Sequence, residues 1–590
     1  MTVRNSRRVL WCGFGLLWTY VILRALFTEP LHDETATFFH YIETGDIFGP
    51  DIVLDANNHI VNSLVGRCMY EWFGDHFFLY RLPVLLAFPL YFIGIYRISR
   101  SLKLPFAELT TICIAAIPYT LEYFAYSRGY GFSLGTLMFS LSLLLAYQEK
   151  RRLAHAFFCL LFALLSCWSV ISFLLPAALI CGSLFLTHVF RLRSFSWKKH
   201  VAVIAFLAAF GLAVLPLLAI SEELRLNGRL YYGSLDGLWL VTGKTLSRYV
   251  FFCEGNWLKG LFILFMTGTA IAVLLKMRSF GIRSWFLQPQ SQLAFFLGTL
   301  LIAFVAMAKI LEINYPEDRV AMYLIPYFLL LFFSVFRTVR MIQWTALLFP
   351  LTLAFHFSLH TSVFTADERI THTFFDEVYK EIKPGETLSG YPTAQLNWQY
   401  LQRSRPEKYF FHCEARFSPV SDVVIMKDTF VPQATPGYEI IARDAGSDYV
   451  ALKRTQQFRA KPLWDTSIVI PPSNGEFVNL VERPLPDLWK GRHLKIEISG
   501  ALESAYTSLK TLVVATEKSG QPFRYEDFDL RRAFGITIPT TAFRMDYEIP
   551  ALEPAEDKLK IYVWNLRKVE MRAKIIHVSV SELTNRENEQ

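Results

Sequence analysis

Just beyond its first apolar block the chain reads His32-Asp33-Glu34, and these adjacent carboxylates are the first residues whose types suggest chemistry. An unperturbed aspartate, with a pKa of about 3.9, is ionised at neutral pH and can take the proton of an attacking hydroxyl as a general base. The competing reading of Asp33 and Glu34 is that they solvate a helix end; against it stands the cost of charge so near lipid. The same connection continues through Asp55-Ala56-Asn57-Asn58-His59, an amphipathic stretch from Ile60 to Phe73, and Tyr80-Arg81-Leu82-Pro83. His59 reads either as a substrate contact or as a loop histidine bonded to backbone, with Asn58 a weaker candidate beside it. Arg128, in Ser127-Arg128-Gly129-Tyr130, and Arg319, in Tyr315-Pro316-Glu317-Asp318-Arg319, carry planar paired donors that match phosphate oxygens. Alternatively Arg128 anchors a helix at an interface and Arg319 pairs with Glu317 or Asp318; Lys244 and Arg248 are further cationic candidates. One carboxylate together with guanidinium groups suits attack by a hydroxyl that displaces a phosphate. The phosphate departs as a stabilised anion and needs no acid, so a single base suffices, whereas glycoside hydrolysis needs two carboxylates flanking the bond. The eight cysteines show neither metal-ligand spacing nor a disulfide framework, so no metal or other cofactor is expected.

These residues must be held by elements in lipid. With 590 residues, 53% hydrophobic and only 19% charged, the chain is too apolar for an ordinary soluble enzyme of its size. Up to about residue 360 it consists of apolar blocks parted by short basic connections. Candidate spans run Val9 to Phe27, Leu79 to Ile98, Leu104 to Tyr119, Gly131 to Tyr147, Leu153 to Trp168, Val170 to Phe190, Val201 to Ile220, Leu258 to Leu275, Leu293 to Ile310, Val320 to Phe336 and Trp344 to Leu359. That makes about eleven spans, with the stretch from Leu153 to Phe190 open to one broken helix instead of two. Threaded alternately, one side collects Arg4, Arg7 and Arg8, then Arg97, Arg100 and Lys103, then Lys150, Arg151 and Arg152, then Lys276, Arg278 and Arg283. Lys and Arg mark the cytoplasmic side, so the first long connection and the tail are expected outside. The net charge of +8 then reflects orientation in a membrane, and no nucleic-acid partner is expected. The basic start followed by a long apolar run reads as an uncleaved first span.

The tail reads as water-soluble sequence. Residues 361–454 mix a helical stretch, Phe374 to Ile382, with strand-like runs Asp422 to Met426 and Tyr438 to Ile441, suggesting a small α/β domain. Residues 461–590 hold short alternating runs such as Leu494 to Ile498, Leu512 to Ala515, Leu559 to Trp564 and Lys574 to Val580, suggesting a β-sandwich. Tyr562-Val563-Trp564-Asn565 could present aromatic faces to sugar rings or simply fill the sandwich core. The fold expected is thus a polytopic α-helical membrane protein, its transmembrane domain over residues 1–360, with an extracytoplasmic α/β and β-sandwich tail.

The acidic pair after the first span, the His59 patch before an amphipathic segment, the Arg81-Leu82-Pro83 entry to the next helix and the Ser127-Arg128-Gly129-Tyr130 element share their order and their side of the membrane. In this they resemble the dolichyl- or polyprenyl-phosphate-sugar mannosyltransferase superfamily, the glycosyltransferase 39-like membrane enzymes of the C-type (GT-C) fold. The motifs span roughly the first 130 residues, and the membrane region resembles the family as an architecture. The chain departs from the commoner pattern, in which two prolines follow the histidine, by having His59-Ile60-Val61. The resemblance implies an inverting glycosyltransferase with Asp33 as base and Glu34 beside it. Its donor would be a sugar on a polyprenyl phosphate, its acceptor an extracytoplasmic glycan, lipid or protein, and its surroundings membrane lipids. Asn58, His59, Arg128, Tyr130 and Arg319 are the candidate substrate contacts. Two other classes compete: a transporter or flippase of lipid-linked glycans, which would favour polar groups at the midplane, and a membrane-anchored glycan-binding or assembly protein, for which so many spans are excessive. No Asn-x-Ser/Thr acceptor occurs in the tail, which points to a bacterial cytoplasmic membrane.

Overall fold

A helix of about 20 apolar residues reaches across a bilayer's hydrocarbon. Among the described residues seven helices meet that need: Asn5–Phe27, Leu82–Ser101, Tyr130–Lys150, Ile171–Phe190, Trp197–Leu226, Asn256–Ser279 and Pro289–Ile310. The protein is a polytopic helical membrane protein. The computed structural model describes residues 3–48, 55–191, 197–230, 232–362, 364–419, 421–456, 458–504, 510–530 and 540–584. Two further apolar helices, Leu153–Ser169 and Leu324–Val335, are shorter. The blocks expected at Leu104 to Tyr119 and Trp344 to Leu359 appear as broken runs, Ala107–Ala115 then Pro118–Glu122, and Arg340–Trp344, Thr345–Leu347 and Leu348–Phe355. Pro118 lacks the N–H that would carry the first of these runs through. Between Leu153 and Phe190 the chain makes two helices, separated at Val170, whose backbone is extended.

Contacts divide the chain into two units, Met1–Thr28 with Ile52–Phe364, and Glu29–Asp51 with Thr365–Gln590. In the first, Tyr130–Lys150 is the central helix and almost wholly buried, whereas Asn256–Ser279 turns nearly all its side chains outward. Small residues let the centre close. A Cβ on Gly135 would lie 2.4 Å from the Ala87 carbonyl oxygen, and one on Gly94 2.8 Å from the Met138 backbone, the close backbone approach that substitutes for a hydrophobic driving force in lipid. Arg81 is fully buried and donates to the carbonyls of Ala25 and Thr28, both at 2.8 Å. It thereby caps the carbonyls that the first helix leaves unpaired at its C-terminus. Arg24 bridges Glu122 at 3.1 Å and donates to the carbonyls of Ser358, 2.7 Å, and Thr361, 3.0 Å, tying the first span to the exit of the last.

The second unit holds a five-stranded sheet of β1 (Leu388–Gly390), β2 (Phe411–Cys413), β3 (Val423–Lys427), β4 (Tyr438–Arg443) and β5 (Tyr449–Arg454) in the order β2-β1-β3-β5-β4. β1 is parallel to both neighbours, and the other pairs are antiparallel. Helices His372–Glu381 and Pro392–Leu401 supply its core, with the Phe375 and Trp398 rings 4.7 Å apart. Eight further strands follow: β6 (Arg459–Ser473), β7 (Phe477–Pro484), β8 (Leu494–Ser504), β9 (Lys510–Lys518), β10 (Gln521–Asp529), β11 (Thr540–Ile549), β12 (Lys558–Asn565) and β13 (Met571–Thr584). They form two four-stranded sheets, β10-β9-β12-β7 and β11-β8-β13-β6, which share one core. Along β12 the alternate residues Leu559, Ile561 and Val563 enter that core, while Trp564 lies outside it, stacked on Phe477 at 6.1 Å.

Residues 29–48 are not a free loop. Their helix His32–Thr37 and the π-helical turn Phe38–Ile42 dock on the α/β part through Thr35 to Asn397, 2.9 Å, and Arg403 to Glu43, 2.5 Å. Glu29 is hydrogen-bonded to His372, which holds that imidazole above its ordinary value against the burial that pulls it down. A raised folded-state pKa stabilises fully below the unfolded value of about 6.5 and loses its contribution as pH climbs through the folded one. His372→Gln should therefore remove part of the loss of thermal stability between about pH 6 and 9, checked by melting curves of both proteins across that range.

Candidate active site

The expected site residues fall on both units: Asp33 and Glu34 on the second, Asn58, His59, Arg128, Tyr130 and Arg319 on the first. Asp33 and Glu34 occupy the first turn of His32–Thr37, where the helix dipole favours negative charge. Their surroundings separate them. Glu34 is 1% exposed and its Oε2 accepts the Leu31 N–H at 3.1 Å, so it closes its own helix start. Asp33 is half-buried on the same turn. His32 reaches the Thr393 carbonyl at 3.1 Å, and Thr37 donates to the Asp33 carbonyl at 2.9 Å, so the turn that carries Asp33 is anchored along its length.

On the first unit the amphipathic stretch is the helix Ile60–Phe73, and His59 is its N-cap. Asp55 organises the approach: its Oδ1 accepts from the Asn57 N–H at 2.8 Å and its carbonyl from the Asn58 N–H at 3.1 Å. Ser63 donates to Asn58 Oδ1 at 3.2 Å, so the Asn58 side chain is engaged in starting the helix. His59 is buried, edge-on to Tyr130 with centroids 5.1 Å apart. The Arg128 guanidinium, also buried, sits 5.8 Å over the same ring, which favours a cation by its quadrupole. Ser127 donates to the Tyr80 carbonyl at 2.9 Å, which joins the two motifs read from the sequence. Glycines permit the rest: a Cβ on Gly129 would meet Ser169 Oγ at 2.6 Å and the His59 Cβ at 3.0 Å, and one on Gly131 the Tyr123 carbonyl at 2.2 Å.

From Tyr130 a file of aromatic rings leads away. Tyr123 packs on Tyr130 at 5.5 Å, Tyr119 on Tyr123 at 5.4 Å, and Tyr249 stacks parallel to Tyr119 at 4.3 Å. It ends at Asp318, which is beside Tyr249 and next to Arg319. Two connections are joined there. The Tyr315 N–H donates to the Ser234 carbonyl at 2.9 Å, Asn314 to the Gly233 carbonyl at 3.1 Å, and Thr242 to the Pro316 carbonyl at 2.6 Å. Gly233 has φ +89°, and a Cβ there would lie 2.0 Å from the Tyr315 carbonyl oxygen. Gly233→Ala should cost about 1–3 kcal/mol through this overlap, read as a lower melting temperature.

Arg319 is 8% exposed, its guanidinium 4.4 Å from the centroid of the Tyr232 ring. Asp318 holds a positive φ of +48°, a conformation that costs a non-glycine residue roughly 1–2 kcal/mol, and its Oδ1 is shut off from solvent with no hydrogen-bond partner among the described residues. Burial pushes its carboxyl above the ordinary value, against the hydrogen bond from Tyr249 and the nearby Arg319 and Arg248. Arg248 itself is paired with Glu254 at 3.1 Å, and Lys244 opens the helix Lys244–Phe251. Sequence reasoning treated Asp318 only as an ion-pair partner and passed over Tyr249 and Tyr232. Tyr119, Tyr123 and Tyr130 lie close together in the chain, which was the visible signal for the aromatic file, while Tyr126 between them meets Arg24 instead.

Fold and site together define a polytopic membrane protein with a large extramembrane α/β and β-sandwich region and a cationic, tyrosine-lined site on its helical unit. No family model matches the chain, and no curated protein matches it in sequence. Among solved structures it is similar to ArnT from Cupriavidus metallidurans bound to undecaprenyl phosphate, with 11% identity and a TM-score of 0.36 over 76% of this chain and 98% of that one. The apo form of the same protein gives 11% identity and a TM-score of 0.35 over the same shares. The arabinosyltransferase EmbB from Mycobacterium smegmatis is similar at 10% identity and a TM-score of 0.30, over 97% of this chain and 64% of that one.

Proposed function

We propose that this chain is an inverting glycosyltransferase that moves one sugar from a polyprenyl-phosphate donor to an acceptor at the extracytoplasmic face of a bacterial cytoplasmic membrane. Asp33 is the base: it takes the proton of the acceptor hydroxyl as the oxygen bonds to the anomeric carbon, and the bond to phosphate breaks with its electron pair leaving on the phosphate. Arg128 and Arg319 hold that anion, Tyr130 and His59 shape the pocket beside it, and Asn58 supports it through the helix start. The observation that carries the reading is a pair of buried guanidiniums on the helical unit, each over a tyrosine ring, Arg128 on Tyr130 and Arg319 on Tyr232. Such cations are poorly hydrated and pre-oriented for oxyanions. The β-sandwich, with Trp564 and Phe477 outside its core, would present the glycan acceptor. The test is transfer from radiolabelled polyprenyl-phosphate sugars to membrane glycans by the purified protein. Label that leaves the lipid and appears in an acceptor supports the reading; label carried across vesicle membranes with no new bond formed would replace it with transport.

A further inference from the structure

The Asp318 carboxyl is a feature of the tyrosine-lined site that phosphate binding does not use, since an anion would be repelled by it. We infer that Asp318 is the residue that receives a hydroxyl of the donor's sugar, so that this carboxyl, and not the arginines, determines which sugar is held. The inference rests on the lipid-phosphate reading above and adds a specificity-determining residue to it. Its backbone is strained at φ +48° and kept there by the zipped connections, with its N–H 3.4 Å from Thr245 Oγ1. Strain of this kind persists where the surroundings over-determine a side chain's position. Oδ1 is enclosed without a donor among the described residues, so the carboxyl is short of a hydrogen bond that a hydroxyl would supply. Its neighbours fit a sugar phosphate: Tyr249, stacked on Tyr119, is an aromatic wall with a polar tip, and Arg319 stands at the next residue. Arg248 makes its hydrogen bonds to Glu254 and acts on Asp318 as a nearby charge.

A site built to hydrogen-bond a hydroxyl discriminates strongly against ligands that lack it. The experiment measures affinities of the full-length protein in nanodiscs for undecaprenyl phosphate and for the same carrier bearing glucose, mannose or arabinose. Wild type should prefer at least one glycosylated lipid over the bare carrier by about tenfold or more. Asp318→Ala, which removes the acceptor, should erase that preference while binding bare undecaprenyl phosphate within about twofold of wild type, and Tyr249→Phe, which leaves the carboxyl in place, should erase part of it. Arg319→Ala should weaken bare and glycosylated carriers together. A wild-type preference that survives in Asp318→Ala, or no preference in wild type among lipids it binds, overturns the inference and leaves the donor reading standing. Failure of wild type to bind any of these lipids overturns the donor reading itself.

Discussion

Asp33→Asn should lower sugar transfer by about a hundredfold to ten-thousandfold, the range that general base catalysis supplies, with the melting temperature unchanged. The amide matches the carboxylate in size, and the Thr37 bond to residue 33 is made to its backbone carbonyl, so the turn survives the change. What disappears is the capacity to accept a proton. Glu34→Gln is the informative neighbour: its amide oxygen can still take the Leu31 N–H, and transfer should fall less than about tenfold. Initial rates with a labelled polyprenyl-phosphate sugar check both. Full turnover by Asp33→Asn would sink the proposed base, and a large loss confined to Glu34→Gln would shift it by one residue.

Arg24→Ala should be among the most destabilising single changes in the helical unit, by about 3–5 kcal/mol, the usual consequence of leaving one member of a buried ion pair alone. Arg24 is 1% exposed, and its removal takes from Glu122 its ion-pair partner while the Ser362 hydroxyl still donates to it at 2.5 Å. It also releases the carbonyls of Ser358 and Thr361 and the Tyr126 hydroxyl, which Arg24 meets at 2.8 Å. Tyr126 is two residues from Arg128, so the turn that carries Arg128 should loosen as well. Adding Glu122→Gln to an Arg24→Met background should recover part of the stability, because the unpaired charge goes with the pair. Melting in detergent of the two single variants and the double variant checks this; equal loss in Arg24→Met with and without Glu122→Gln would show that packing, not charge, sets the cost.

The membrane class, the long apolar helices and the alternating strands of the tail were legible because each depends on local periodicity. Lipid admits only backbones that pair internally, and a strand with Leu559, Ile561 and Val563 on one side has one face to bury. Ile60–Phe73 was read to the residue for the same reason. The chemistry of single positions was legible only as a list of types. Glu34 and Asp33 are adjacent and equally acidic, and the Leu31 N–H separates them only once the turn exists. Arg81 and Arg128 are alike in sequence, yet one closes the first helix's carbonyls and the other lies on Tyr130. Asp318 shows how far this goes: its meaning depends on connections about 80 residues apart being joined at Gly233 and Tyr315. Composition and period are sums over neighbours in the chain, whereas a site is made by residues distant in the chain, and only their packing decides which charge is paired, which is buried and which is left to act.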